Sequence, residues 1–278
     1  MSMRGVSVRD ALDSALVPLR AARVDTPRLD AEVLLAEALG VDRTALVVDP
    51  GRELDGPATR RFQEMMRRRV FDREPVAYIL GRKGFRRLDL SVDRRVLIPR
   101  PETEHLVEAA LGLPDGARVV DVGTGSGAVA LALKDERPDL DVTATDVDVG
   151  ALAVARANAE RLGLAVRFVQ ADLLAPGEPA DAVVSNPPYV TAAEMTRLAP
   201  EIARHEPRGA LFGGTDGLDV VRRLLEAIAA ADAPPSFVAL EVGADQSDAV
   251  GELLAAKGYA AGTVEDLAGI ERVVVGRR

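Results

Sequence analysis

Residues 117–133 read ARVVDVGTGSGAVALAL. The run through Val122 is short, apolar and rich in β-branched residues, the composition of a buried strand. Gly123, Gly125 and Gly127 then interrupt it, and Ala128 opens an apolar helix. Glycines at such a junction let the backbone turn tightly and approach a ligand closely, with the helix N-terminus facing it. The loop Gly123, Thr124, Gly125, Ser126 and Gly127 is therefore a candidate cofactor cradle. With Ala128 standing for the last glycine, it also satisfies the dinucleotide fingerprint, so the loop alone leaves NAD and other adenosine-bearing cofactors open.

Downstream the same alternation repeats. DVTATD (141–146) precedes a helix through Arg161, VRFVQAD (166–172) and DAVVSN (181–186) read as strands, and SFVALEVG (236–243) precedes a helix through Ala256. Repeated βα units imply an α/β fold with a parallel, doubly wound sheet. GYAAGTV (258–264) and ERVVVGRR (271–278) have no helix between them and should return as an antiparallel hairpin at one edge.

Upstream the periodicity is helical. Ser7 precedes apolar residues at Val8, Leu12, Ala15, Leu16 and Leu19; Thr26 precedes Pro27; Gly40 closes the second segment; and a third runs from about Pro57 to Phe71 with Met65 and Met66 on its apolar side. Residues 1–75 thus read as a small helical bundle. From 76 to 101 the runs YILGRKGF, LDLSV and RVLI suggest a β-hairpin connector, and 102–278 form the α/β domain.

Composition excludes several classes. The 278 residues, 47% hydrophobic, suffice for a sizeable core. Zero cysteines remove disulfides and thiol chemistry, and two separated histidines, His105 and His205, give no basis for a metal site. The longest apolar run, near Ala128–Leu133, is far below the roughly 20 residues that span a bilayer, and MSMRGVSVRD leads into no signal segment, so a cytoplasmic protein without membrane attachment is expected. A net charge of −9 argues against a protein held mainly by phosphate contacts, although residues 60–100 carry a local excess of +8. A solvated charged face is the simpler account of that excess; a docking surface is the alternative.

Three aspartates end strands beside the glycine loop. Asp121, two residues before the first glycine of the loop, would attract an ammonium or sulfonium group and repel a pyrophosphate. That favours S-adenosylmethionine. Asp146 ends the next strand, placed to accept from ribose hydroxyls, while Asp172 and Leu173 would border the adenine. Asp148 reads as a helix cap.

The fourth strand ends in Asn186, Pro187, Pro188 and Tyr189. Strand ends in an open α/β sheet face the ligand crevice. A planar nitrogen with two hydrogens, in an amide or an exocyclic amine, has a delocalised and unreactive lone pair. The Asn186 side-chain oxygen and the Pro187 carbonyl could bind its two N–H groups and hold the lone pair toward a methyl donor. The prolines fix φ and bring no competing donors, and Tyr189 offers a ring for stacking. No general base is required.

These segments, together with TPRLDAEVLLAEALG, REPVAYILGRKGF, VLIPRPETEHLVE and EPRGALFGGTDGLDV, resemble the HemK/PrmC family of protein-(glutamine-N5) methyltransferases over almost the full chain. The resemblance implies a seven-stranded, Rossmann-like class I S-adenosylmethionine-dependent methyltransferase domain behind a substrate-recognising helical bundle and hairpin connector. It implies methylation of the glutamine in the Gly-Gly-Gln loop of class I peptide-chain release factors. Gly123–Gly127, Asp146 and Asn186 would hold the cofactor, Asn186–Tyr189 would grip the glutamine amide, and Phe85, Arg100, Pro101, Glu102 and Thr103 would line the substrate side. From the residues alone, Thr103 reads as the cap of the helix HLVEAAL. Leu173 and Leu90 replace aromatics found in some members. A monomer is expected, with no direct nucleic-acid substrate. The rival readings are a glutamine methyltransferase of a ribosomal protein and an adenine amino-methyltransferase of DNA or RNA; the PRPETE loop and the negative charge disfavour the latter.

Overall fold

The N-terminal segment is helical because its apolar residues recur three and four apart and most starts are capped. In this computed structural model, which describes residues 6–175, 177 and 179–278, α1 (Val8–Ala21) begins after Ser7, whose hydroxyl accepts from the Asp10 amide. The arginine-bearing start, residues 1–5, lies outside the described residues. α2 (Pro27–Leu39) opens on Pro27 and stops at Gly40 in the left-handed conformation. α3 (Arg43–Val48), capped by Asp42, is a short helix the sequence reading passed over. α4 (Gly56–Val70) is capped by Asp55. Leu19, Leu34, Leu35, Phe62 and Met66 fill the core between them, so Met66 is a packing residue.

Residues 76–101 are less strand-like than expected. Val76–Leu80 forms α5, one helical turn framed by Pro75 and by Gly81 at φ 71°, with the Tyr78 and Ile79 amides both donating to the Pro75 carbonyl. The hairpin is confined to β1 (Arg82–Phe85) and β2 (Leu88–Ser91). RVLI belongs to no strand; Val96 and Ile98 are apolar because they are buried, which the period-two pattern cannot distinguish from pairing.

The chain forms two compact units, Met1–Gly81 with Pro200–His205, and Arg82–Ala199 with Glu206–Arg278. In the first, buried Arg69 donates to Asp30 at 2.7 Å and to Glu201 at 2.8 Å, and Arg73 joins the same Glu201 carboxylate. These pairs take up part of the positive charge that the sequence concentrates after residue 60.

The second unit follows the alternation of the sequence: α6 (Glu104–Ala110), β3 (Arg118–Val122), α7 (Ala128–Glu136), β4 (Asp141–Asp146), α8 (Val149–Leu162), β5 (Arg167–Gln170) and β6 (Ala182–Ser185). The short α9 (Ala192–Met195) follows, then α10 (Pro200–His205), which counts with the first unit. α11 (Asp219–Ala229), β7 (Phe237–Glu241), α12 (Ser247–Ala256), β8 (Ala260–Glu265) and β9 (Glu271–Arg277) complete the chain. The seven strands run in the order β5-β4-β3-β6-β7-β9-β8, parallel except for β9, which pairs antiparallel with both neighbours. Successive β3 residues face opposite ways: Val119 packs with Leu106, Leu131 and Leu133, and Val120 with Leu224, Leu225 and Leu254. Strand order reverses between β3 and β6, and ligands bind in such sheets at the carboxyl ends beside that switch point.

Candidate active site

A cavity of about 400 Å³ opens at that switch point, and the ends of β3, β4 and β6 all contribute to its wall. Gly123, Gly125 and Gly127 lie in the left-handed region at φ 73°, 56° and 85°, which is why glycine stands at each. At Gly127 a side chain would also collide with Leu131 and Ala155. The loop is braced from within: the Gly123 and Thr124 amides donate to the Thr145 carbonyl at 2.9 Å, the Gly127 amide to the Thr124 carbonyl, and the Gly125 amide to Asp146 Oδ2 at 2.9 Å. Most of the loop amides that would cradle a pyrophosphate are thus already engaged.

Asp121, 1% exposed, lies in the cavity wall. Its Oδ2 accepts from Thr124 Oγ1 at 2.6 Å and from the Ala130 amide at 3.2 Å, so the α7 N-terminus already faces an acidic group. Burial pushes its carboxyl up to about 7, partly opposed by those two hydrogen bonds. A cation beside it would restore the charge; a phosphate would meet repulsion. The ambiguity of the glycine loop is thereby narrowed toward a cationic ligand.

Asp146 accepts from the Gly125 and Asp148 amides, one on each oxygen, and burial raises its carboxyl above the ordinary value. Each oxygen retains a lone pair for a hydroxyl. Asp148 caps α8 through the Gly150 amide, as its position suggested. Leu173 sits at φ 73°, its carbonyl accepting from Thr145 Oγ1 at 2.7 Å, and with Val147, Ala151 and Ala171 it gives one end of the cavity an apolar wall. Asp172 also reaches the wall, but is exposed and paired with Arg223 at 2.6 Å.

Asn186, Pro187 and Pro188 line the same cavity from the end of β6. Asn186 Nδ2 donates to Thr103 Oγ1 at 3.1 Å. Thr103 therefore does not cap α6: it is helical itself, at φ −64° and ψ −17°, and its hydroxyl accepts from Asn186. Tyr189 stands beside the cavity without contributing to its wall, and burial pushes its phenol up to about 12.

Family comparison agrees with this geometry along both parts of the chain. Residues 10–81 match the family model described as PrmC N-terminal domain, and 102–214 the one described as Methyltransferase small domain. A release factor glutamine methyltransferase of Koribacter versatilis is 43% identical over 279 residues, covering 98% of this chain and 99% of the relative. The chain belongs to the release factor glutamine methyltransferases. A second such methyltransferase, from Caulobacter vibrioides, is 42% identical over 266 residues, covering 93% and 92%. Among solved structures, a methyltransferase from Pyrococcus furiosus superimposes with a TM-score of 0.53 at 22% identity, covering 68% of this chain and 88% of that one, a likeness of fold alone.

Among the residues expected on the substrate side of this release factor glutamine methyltransferase, Arg100 and Thr103 reach the cavity. Pro101 and Glu102 occupy the turn between them and do not line it. Phe85 is a correction: at 2% exposure it packs in the core with Leu88 and Leu90, because the strand pattern turns these side chains inward. Leu90 is likewise fully buried.

Sequence reasoning missed three supports. Asn158, fully buried on α8, binds Ser91 through its amide and carbonyl and donates to the Ser126 carbonyl, tying the glycine loop to the hairpin. Its signal was a polar residue at the same helical spacing as Ala151, Val154 and Ala155. Gln246 Nε2 donates to the Tyr189 carbonyl at 3.1 Å. Gly213 and Gly217 lie so close to the Pro188 and Tyr189 carbonyls that a side chain at either would displace the Asn-Pro-Pro-Tyr segment, which explains the glycines of LFGGTDG.

Proposed function

We propose that this chain transfers the methyl group of S-adenosylmethionine to the side-chain amide nitrogen of the glutamine in the Gly-Gly-Gln motif of class I peptide-chain release factors. The observation that carries the reading is the meeting, in one cavity, of a buried carboxylate at Asp121 with the Asn186–Pro188 segment. The residues fit the cofactor: Asp121 for a cationic end, Asp146 for ribose hydroxyls, and Val147 with Leu173 for the adenine, with Asp172 and Arg223 at that margin. S-adenosylmethionine supplies a methyl group on positively charged sulfur.

The remaining work falls to the strand end. A carboxamide nitrogen is a poor nucleophile because its lone pair is delocalised into the carbonyl. Asn186 Oδ1 and the Pro187 carbonyl accept its two N–H groups, fix the plane of the amide and turn the nitrogen face toward the methyl group. The cavity walls exclude water, which strengthens both hydrogen bonds. The transferred product releases its proton afterwards, so no histidine or other base is needed.

We assign contact with the release factor to the helical bundle, residues 1–75, and to the Arg100–Thr103 turn. The protein acts as a monomer in the cytoplasm, where translation factors work. Among the described residues no helix is long and apolar enough to cross a membrane. The test is incubation with isotopically labelled S-adenosylmethionine and purified release factor, followed by peptide mass spectrometry. The label should appear on the Gly-Gly-Gln peptide, and a factor carrying glutamate for that glutamine should remain unlabelled, since a site that binds two N–H groups rejects an analogue lacking them. Label on another residue, or on the glutamate form, would refute the assignment.

A further inference from the structure

The Asn186–Tyr189 segment has to keep one shape, and its two ends are held differently. Upstream, Ser185 pairs in β6 between β3 and β7. Pro187 and Pro188 then fix φ at two positions, but ψ at 186, 187 and 188 stays open unless the far end is held as well. Downstream, the Val190 amide donates to the Leu211 carbonyl at 2.8 Å, and the Val190 carbonyl accepts from the Gly213 amide at 3.0 Å. The Tyr189 carbonyl, one peptide closer to the site, goes instead to a side chain, accepting from Gln246 Nε2 at 3.1 Å.

That side chain is fully engaged. Gln246 Nε2 also donates to the Asp216 carbonyl at 3.4 Å, and Gln246 Oε1 accepts from the Gly243 amide at 3.0 Å. A reversed amide would set its oxygen against two carbonyls and its N–H groups against an N–H, so the three neighbours fix which end faces Tyr189. Glycine stands where this contact needs room. A side chain at Gly217 would strike both the Tyr189 carbonyl and Gln246 Nε2, and one at Gly243 would press on Gln246 Oε1. Gln246 itself contributes nothing to the cavity wall.

From this we infer that Gln246 is a positioning residue for methyl transfer: by donating to the Tyr189 carbonyl it pins the far end of the segment and so sets the direction of the Asn186 side chain and the Pro187 carbonyl. The inference rests on the methyl-transfer reading of the site, so one arm of its test needs no turnover.

The variants are Q246E and Q246L in the full-length protein, with release factor as substrate and both substrates saturating. In Q246E an ionised carboxylate still accepts from Gly243 but has no hydrogen for Tyr189; protonation restores one. At about pH 8, Q246E and Q246L should each lower kcat by about tenfold or more, as misplacement of a positioning group does, with cofactor Kd near wild type. Lowering the pH to about 5.5 should return the Q246E rate toward that of wild type at the same pH, because two facing carbonyls favour the protonated acid. Q246L, which has no donor at any pH, should stay slow, and being uncharged it keeps the test decisive should Q246E fail to fold. Independently of activity, Tyr189–Val190 is the one Tyr-Val step in the sequence, so 13C-carbonyl tyrosine combined with 15N-valine gives a single Val190 amide signal that reports on the Tyr189 carbonyl. That signal should shift in both variants at about pH 8 and, in Q246E alone, return as the pH falls. Wild-type kcat in Q246L, a Q246E deficit that does not follow pH, or a Val190 signal unmoved by either variant would each overturn the inference. Failure of wild type to label the release factor would instead refute the proposed function, and the Val190 signal would still decide whether Gln246 holds the segment.

Discussion

Replacing Asp121 by asparagine removes one negative charge while keeping the shape and the acceptor for Thr124 and Ala130. A unit-charge pair about 5 Å apart at an effective dielectric of about 20 is worth about 3 kcal/mol, on the order of a hundredfold in Kd. Asp121→Asn should therefore weaken S-adenosylmethionine binding by about that factor near pH 8, measured by calorimetry on folded protein. The pH dependence follows from the same group. Its carboxyl in the free protein is raised to about 7, so below that pH it holds a proton that a cationic ligand must displace. Wild-type affinity should thus rise with pH and gain about tenfold between about pH 6 and 8, and the asparagine variant should lose most of that slope. S-adenosylhomocysteine keeps the ammonium and lacks the sulfonium charge. Equal losses for both ligands would assign Asp121 to the ammonium, and a loss confined to S-adenosylmethionine would assign it to the sulfur. Binding within a few fold of wild type for both ligands, with an unchanged pH slope, would refute the charge argument.

Three further outcomes are expected. Asn186→Ala should lower kcat by about 10²-fold or more, by analogy with removing one oriented polar group from a transition-state site, with cofactor affinity near wild type; an unchanged rate removes Asn186 from the mechanism. Tyr189→Phe should be mild in the same assay, because the phenol hydroxyl makes no hydrogen bond among the described residues, and a loss as large as that of Tyr189→Ala would implicate it. Asn158→Leu should destabilise the α/β unit by about 1–3 kcal/mol, the penalty of an unsatisfied buried polar group, since it strips partners from Ser91 and the Ser126 carbonyl; thermal unfolding at the wild-type midpoint would contradict this.

The parts of the fold that depend on neighbours in sequence were legible before the structure. Ser7 and Asp148 cap the helices they precede, Gly40 ends α2 in the left-handed conformation, and the β-branched runs around Val119 and Val183 pair as parallel strands. The glycine loop and Asp146 could likewise be placed, because each is set by its own βα unit, β3–α7 for the loop and β4–α8 for Asp146. What depends on distant neighbours was not legible. Val76–Leu80 is too short for its period to show, and the apolar Val96 and Ile98 are buried outside any strand. Phe85 was expected on the substrate side, yet the hairpin turns it into the core. The positive stretch 60–100 looked free, yet Arg69, Arg73, Arg86 and Arg100 meet Asp30, Glu201, Glu136 and Glu206, acids contributed from elsewhere in the chain. Thr103 shows the same limit at the site, since its local position suggests a cap while Asn186, at the end of another strand, claims its hydroxyl.

The central claim, that paired oxygen acceptors at the end of β6 orient an inert carboxamide, is tested most directly by a crystal structure of the enzyme with S-adenosylhomocysteine and a release factor. The target glutamine nitrogen should lie within about 3 Å of both Asn186 Oδ1 and the Pro187 carbonyl. A glutamine side chain lodged elsewhere, or an Asn186 amide presenting Nδ2 to it, would contradict the account.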